Sequence, residues 1–158
     1  MISVHPAVAV VCLLFLITTE ASISSGRGGG SFDYDIRTKS ELTELYNSKV
    51  FMAERMERPK GSWKWKLTGT AGPVSHTGVR VTLSDGSQWL IHKGSGYGKS
   101  SETVVVDAKH MSHEWKVIET KDFEGTRTVS DFVKAGGSYY NLLIDNCHDA
   151  SRRMMDQK

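Results

Sequence analysis

Cysteine is scarce in this 158-residue chain, which holds two, Cys12 and Cys147. That excludes a disulfide-dense scaffold. Charge of one sign is also missing. Twenty Lys and Arg stand against 18 Asp and Glu, a net +2 with no dense basic run, so nothing argues for nucleic acid. The longest apolar run, residues 7–17, has 11 residues, where a membrane-spanning helix needs ~20. There is no N-x-S/T sequon, so N-glycosylation is not expected, and no internal repeat.

What is present suits one globular domain. Hydrophobic residues make up 39% and charged residues 24%, close to the averages for folded proteins, and chains divide only beyond ~250 residues. The apolar run is followed by Thr18-Thr19-Glu20-Ala21 and then by serines and glycines. This is the layout of a secretory signal peptide cleaved after Ala21. The segment before the run carries no Lys or Arg, which leaves a buried strand or an uncleaved anchor as alternatives. Cleavage would leave 158 − 21 = 137 residues with a charge of +20 − 17 = +3 and one cysteine, Cys147. A lone cysteine in an exported chain is an intermolecular bridge, a thiol kept for chemistry, or an inert buried side chain. The expected division is a signal peptide at 1–21, a Gly/Ser-rich flexible lead-in at 22–37 and a single domain at 38–158.

Residues 38–57 predict a helix. Thr38 and Glu41 fit a capping box, and Leu42, Leu45, Tyr46, Ala53 and Met56 recur near helical spacing up to Pro59. From Trp63 the period is two, with Trp63, Trp65 and Leu67 alternating with Lys64 and Lys66, a half-buried strand guarded by lysines. Val79, Val81 and Leu83 alternate with His76, Gly78, Arg80 and Thr82. Ser84-Asp85-Gly86 then turns the chain, and residues 88–92 return. A three-residue loop with Gly86 in the left-handed region pairs Leu83 with Ser87. That register joins Trp89 and Ile91 to the Val79 face and puts His76 and His92 on the other as diagonal neighbours, Cβ atoms ~7–8 Å apart. Gly94-Ser95-Gly96-Tyr97-Gly98 before Lys99-Ser100 suggests a phosphate loop, but the spacing is one residue short and no helix follows. Residues 103–107 and 115–120 are further strand candidates. His110 and His113 lack a third ligand and belong on the surface.

Residues 129–135 predict a short helix capped by Thr128 or Ser130 and ended by Gly136-Gly137. Asn146 is a good N-cap with Asp149 as its partner. Cys147, Ala150 and Met154 then share one helical face, so Cys147 opens the last helix towards the core. A helix start favours a thiolate and offers N–H groups to an oxyanion. His76 and His92 can supply a base and the group that orients it. Asp145 and Asp149 act against a nearby anion.

The His76-Thr77-Gly78 strand opening, the hairpin end Ile91-His92 and the later Tyr140-Asn141-Leu142-Leu143 followed by Asn146-Cys147 resemble the permuted papain-like thiol hydrolases. That group includes lecithin:retinol acyltransferase-like enzymes, NlpC-type peptidases and PPPDE isopeptidases. The resemblance covers roughly residues 63–158. The strand and helix readings predict an α+β fold, an antiparallel sheet of about four to six strands packed by the N-terminal and Cys147 helices, and the resemblance implies that this fold is papain-like and circularly permuted. It also implies Cys147 as nucleophile, His76 as base and His92 as polar orienter. Two features depart from it: the histidines are 16 apart, a long hairpin for the lipid-acting members, and Asn146-Cys147 continues as His148-Asp149-Ala150 rather than Glu-His-Phe. The function expected is a secreted, monomeric thiol hydrolase or acyltransferase working through an acyl-cysteine on lipid esters or amides. It needs no cofactor, metal, nucleic acid or transmembrane anchor. The alternatives are a peptidoglycan-type peptidase and a non-catalytic secreted binding module. The last helix is expected to set the sulfur within hydrogen-bond reach of His76.

Overall fold

The computed structural model describes residues 36, 38–60, 75–98 and 101–158. The expected signal peptide, nearly all of the lead-in, the Trp63-to-Leu67 strand and Lys99-Ser100 lie outside them. The elements are α1 (Lys39–Asn47), β1 (Lys49–Pro59), β2 (Ser75–Leu83), β3 (Gln88–Lys93), β4 (Thr103–Asp107), β5 (Lys116–Thr128), α2 (Val129–Gly136) and α3 (Cys147–Met155). The strands form one sheet in the order β4-β3-β2-β1-β5, and every pairing is antiparallel. This is the α+β architecture expected, with five strands and three α-helices among the described residues.

One face of the sheet carries the main core. Val50, Ala53, Val79, Val81, Ile91, Val105 and Phe123 pack there against Leu45 and Tyr46 of α1, Val129 and Phe132 of α2, and Ala150, Met154 and Met155 of α3. On the opposite face Met56, His76, Leu90 and Val104 are also buried. Both faces of the central strands are therefore out of water, which is why β2 reads as an almost continuous buried run. Among the described residues no helix is long and apolar enough to cross a membrane.

The helix expected over residues 38–57 is corrected. The capping box forms as read, with Glu41 N donating to Thr38 Oγ1 (3.1 Å) and Thr38 N to Glu41 Oε2 (3.0 Å). The helix ends at Asn47, however, and β1 begins at Lys49. The misleading signal was the spacing of three between Ala53 and Met56, which in the strand lie on opposite faces. A bulge between Val50 and Met52 inserts one residue, so Val50 and Ala53 also fall on the core face although they are three apart. Met56 is buried on the opposite face, beside Gly78. A bulged strand buried on both sides thus imitates a helical stripe, and pairing to β2 and β5 overrides local propensity. The strand expected at 115–120 runs on to Thr128, and the strand at 103–107 and the helix after Thr128 stand as read.

Candidate active site

The hairpin folds as its turn chemistry dictates. Leu83 N donates to Ser87 O (2.9 Å), Gly86 N to Leu83 O (3.1 Å), and Gly86 sits at φ 81°. The register pairs Gly78 with His92, Val79 with Ile91 and Val81 with Trp89. His76 and His92 are therefore diagonal neighbours on one face, and His76 Nε2 lies 3.0 Å from His92 Nδ1. Gly78 makes the approach feasible. A Cβ there would stand 2.8 Å from His92 Cβ and 3.0 Å from Leu90 Cδ1.

The two imidazoles sit in an aromatic box. Tyr97 has its ring centroid 5.9 Å from His76 and 5.0 Å from His92, and Trp115 lies 5.5 Å from His76. Arg58, paired with His76 across β1 and β2, lays its guanidinium 5.1 Å from the Trp115 centroid. Burial, reinforced by His92, Arg58, Lys60 and His148, pushes His76 down to about 2. Burial and then Arg58 push His92 down to about 3. Both rings are thus neutral near pH 7, and each carries one N–H. When His76 Nε2–H donates to His92, the lone pair of His76 sits on Nδ1. That atom is buried and has no hydrogen-bond partner.

Helix α3 starts as read. Asn146 Oδ1 accepts from His148 N (2.8 Å) and Asp149 N (3.3 Å), and Asp149 Oδ2 accepts from Asn146 N (3.2 Å). Cys147, the free cysteine, is the first helical residue and is buried. The helix then runs along the core face, not the histidine face. Arg55 Nε donates to Ser151 Oγ (3.0 Å), and Ser151 Oγ donates to Thr77 Oγ1 (3.1 Å). The apolar stripe of Ala150, Met154 and Met155 selects that face, because Val79, Val81 and Ile91 offer it a core and burying such side chains outweighs one polar contact.

The expected docking of α3 on the histidine face is therefore corrected, and the expected Cys147–His76 hydrogen bond is not formed. His76 Nε2 faces His92, and Nδ1 is unpartnered. The first turn of α3 nevertheless abuts the start of β2, where His148 Nε2 donates to Ser75 O (3.2 Å), one residue before His76. Tyr97 links the two sides: its hydroxyl is pushed up by burial, pulled down by Arg58 and pushed up by Cys147. Tyr140 is raised by burial and then by Cys147 and Tyr97. Cys147 thus starts α3 beside the end of β2 that carries His76, through the contact of its neighbour His148 with Ser75.

The acidic neighbours are neutralised. Asp145 meets both Lys93 (2.7 Å) and Arg153 (2.7 Å). Burial alone would raise its carboxyl, but these two cations outweigh it and hold it low. Asp149 pairs with Arg152 (3.2 Å). His110 and His113 are exposed, and among the described residues no His/Cys/Asp/Glu group could hold a metal.

Sequence reasoning missed Arg58, Tyr97, Trp115 and Lys93. Tyr97 had a signal, an aromatic inside a glycine-rich loop directly after His92. Arg58 had none once β1 was taken for a helix. No family model matches the chain, and neither a curated protein nor a solved structure does.

Proposed function

We propose that the chain is an exported thiol hydrolase or acyltransferase of the permuted papain-like kind, with Cys147 as nucleophile, His76 as base and His92 as orienter. One observation carries the reading. His76 is held by His92 through one ring nitrogen, and its other is buried and unpartnered at the sheet end where the Cys147 helix starts. A base fixed on one side and open on the other is what a thiol nucleophile requires. In the forward step His76 Nδ1 takes the Cys147 proton as the sulfur adds to the acyl carbonyl, which requires bound substrate to lift His76 from the value of about 2 at which burial holds it. The leaving alkoxide or amine takes that proton as the C–O or C–N bond breaks, giving an acyl-cysteine. Water, an amine or a hydroxyl then gives a proton to His76, adds to the thioester and releases the thiol. Asn146 consumes the His148 and Asp149 N–H groups, so the Cys147 amide is the first-turn donor left for an oxyanion. Contacts of this kind are often loose in an empty site and tighten with substrate.

A second reading, a non-catalytic binding module, is favoured by the placement of α3 on the face opposite the imidazoles. Intact-mass spectrometry after exposure to a soluble acyl thioester, a lipid ester and a peptidoglycan fragment separates the two. The enzyme reading expects an acyl adduct that Cys147→Ala abolishes and His76→Ala slows by ~10²–10⁴. No adduct on any substrate, or equal rates with and without His76, favours the binding module. N-terminal sequencing of exported protein tests cleavage after Ala21, and a start at Met1 would refute it.

A further inference from the structure

Between α2 and α3 the chain makes a tight loop that exposes four large apolar or aromatic side chains. Leu142, Leu143 and Ile144 are 69%, 87% and 77% exposed, and Tyr139 is 67% exposed. Such contiguous exposure on a folded surface marks an interaction site. The loop is not a loosely hanging one. Asn141 and Asp145 exchange both backbone hydrogen bonds at 2.9 Å. Asn141 Oδ1 accepts from Leu143 N (2.9 Å) and Ile144 N (3.3 Å), and Asn146 Nδ2 donates to Leu142 O (3.1 Å). These bonds fold the backbone into a tight turn, and the Leu142, Leu143 and Ile144 side chains project into solvent. The turn is continuous with the N-cap of α3.

The chemistry of the surroundings identifies the occupant. Residues 135–144 contain no Asp, Glu, Lys, Arg or His, so the tip can leave water without burying a charge. Tyr139 and Tyr140 flank it, and tyrosine suits the boundary between water and hydrocarbon. At the base, the buried Lys93 is matched by the carboxylate of Asp145, which leaves Arg153, 43% exposed, as the cation at the surface. That complements anionic headgroups. A stable protein partner needs about 20–30 residues a side, far more than this tip offers, whereas an interfacial anchor works with a few side chains and nearby cations.

We propose that Leu142, Leu143 and Ile144 form a wedge that seats in the interface of an anionic phospholipid bilayer and brings the start of the Cys147 helix to the lipid surface. The wedge makes membrane lipid esters the substrate class of the acyl chemistry above and rests on that reading for this consequence alone.

Co-sedimentation of the full chain with phosphatidylcholine–phosphatidylserine vesicles tests it, compared with Leu143→Ser/Ile144→Ser. Each buried methylene is worth about fourfold in partition, so the double variant should bind at least about tenfold more weakly. Because both side chains are exposed, its thermal unfolding should match wild type. The apolar run at residues 7–17 is common to both proteins and cancels. A polarity-sensitive dye on Leu143→Cys, with Cys12→Ser and Cys147→Ala, should shift to the blue with the mixed vesicles and less so with phosphatidylcholine alone. Equal binding by wild type and double variant, an unshifted dye, or a wild-type dimer that the double variant dissociates would overturn the wedge. Vesicle binding without an acyl adduct keeps the wedge and removes the thiol-enzyme reading. An adduct on a soluble thioester without vesicle binding does the reverse.

Discussion

Mild acid should unfold this protein through two buried imidazoles. In the folded state burial holds His76 down to about 2 and His92 down to about 3. In the unfolded chain both return to ~6.5. Between those limits the unfolded state binds more protons, so stability is complete above ~6.5 and is lost as pH falls towards the folded values. Each imidazole contributes a slope of ~1.4 kcal/mol per pH unit. Two imidazoles between pH 7 and 5 give ~4 kcal/mol after allowing for partial titration near 6.5, and the contact between the rings makes this an upper figure. Against a total stability of ~5–15 kcal/mol, that puts acid unfolding near pH 4–5 when the stability lies at the low end of the range, and at lower pH otherwise. Asp145 does not confuse the window, because its carboxyl is held below the ordinary carboxylate value and loses its contribution only at lower pH. Urea unfolding at pH 7, 6 and 5 measures the effect as a falling midpoint at constant slope. His76→Gln/His92→Gln should be less stable at pH 7 but nearly flat from 7 to 5. A wild-type midpoint that does not move, or a double variant that moves as much, would show that the imidazoles are not buried as neutral groups.

Three substitutions test the frame of the site. Gly78→Ala puts a Cβ 2.8 Å from His92 Cβ, and overpacking of this kind costs about 1–3 kcal/mol. It should lower the unfolding midpoint and, on the proposed mechanism, acylation as well. Asp145→Ala leaves the Lys93 ammonium, whose side chain is 0% exposed, without its carboxylate, a loss of ~3–5 kcal/mol for a broken buried pair. Lys93→Met/Asp145→Ala should recover much of it, and thermal unfolding of both variants checks the difference. Asn146→Ala removes the α3 cap for ~1 kcal/mol and should slow alkylation of Cys147 by iodoacetamide more than a control Thr38→Ala at the α1 cap. Equal alkylation rates would mean that the cap does not orient the thiol.

Local chemistry was enough for the elements whose information is local. The Ser84-Asp85-Gly86 loop and the alternation around it determined the β2–β3 register, and with it the diagonal His76–His92 pair. Thr128 or Ser130 with Gly136-Gly137 announced the ends of α2, Asn146 with Asp149 announced α3, and the Cys147-Ala150-Met154 spacing announced α3's buried side. These signals span four to sixteen residues, the range over which turn geometry and side-chain period act without help from the rest of the fold.

Tertiary structure decided what depended on pairing across distance. Whether residues 49–59 were helix or strand turned on β2 and β5 being there to accept them, because a bulged strand and a helix place Val50 and Ala53 alike. Arg58 reached His76 only through that β1–β2 register. Tyr97 and Trp115 closed the box from a loop and from the residue just before β5. The side of the sheet taken by α3 was also beyond local reading, since an apolar stripe specifies that it will be buried but not against which surface. The apolar face of β2 and β3 took it, and the imidazoles were left on the other.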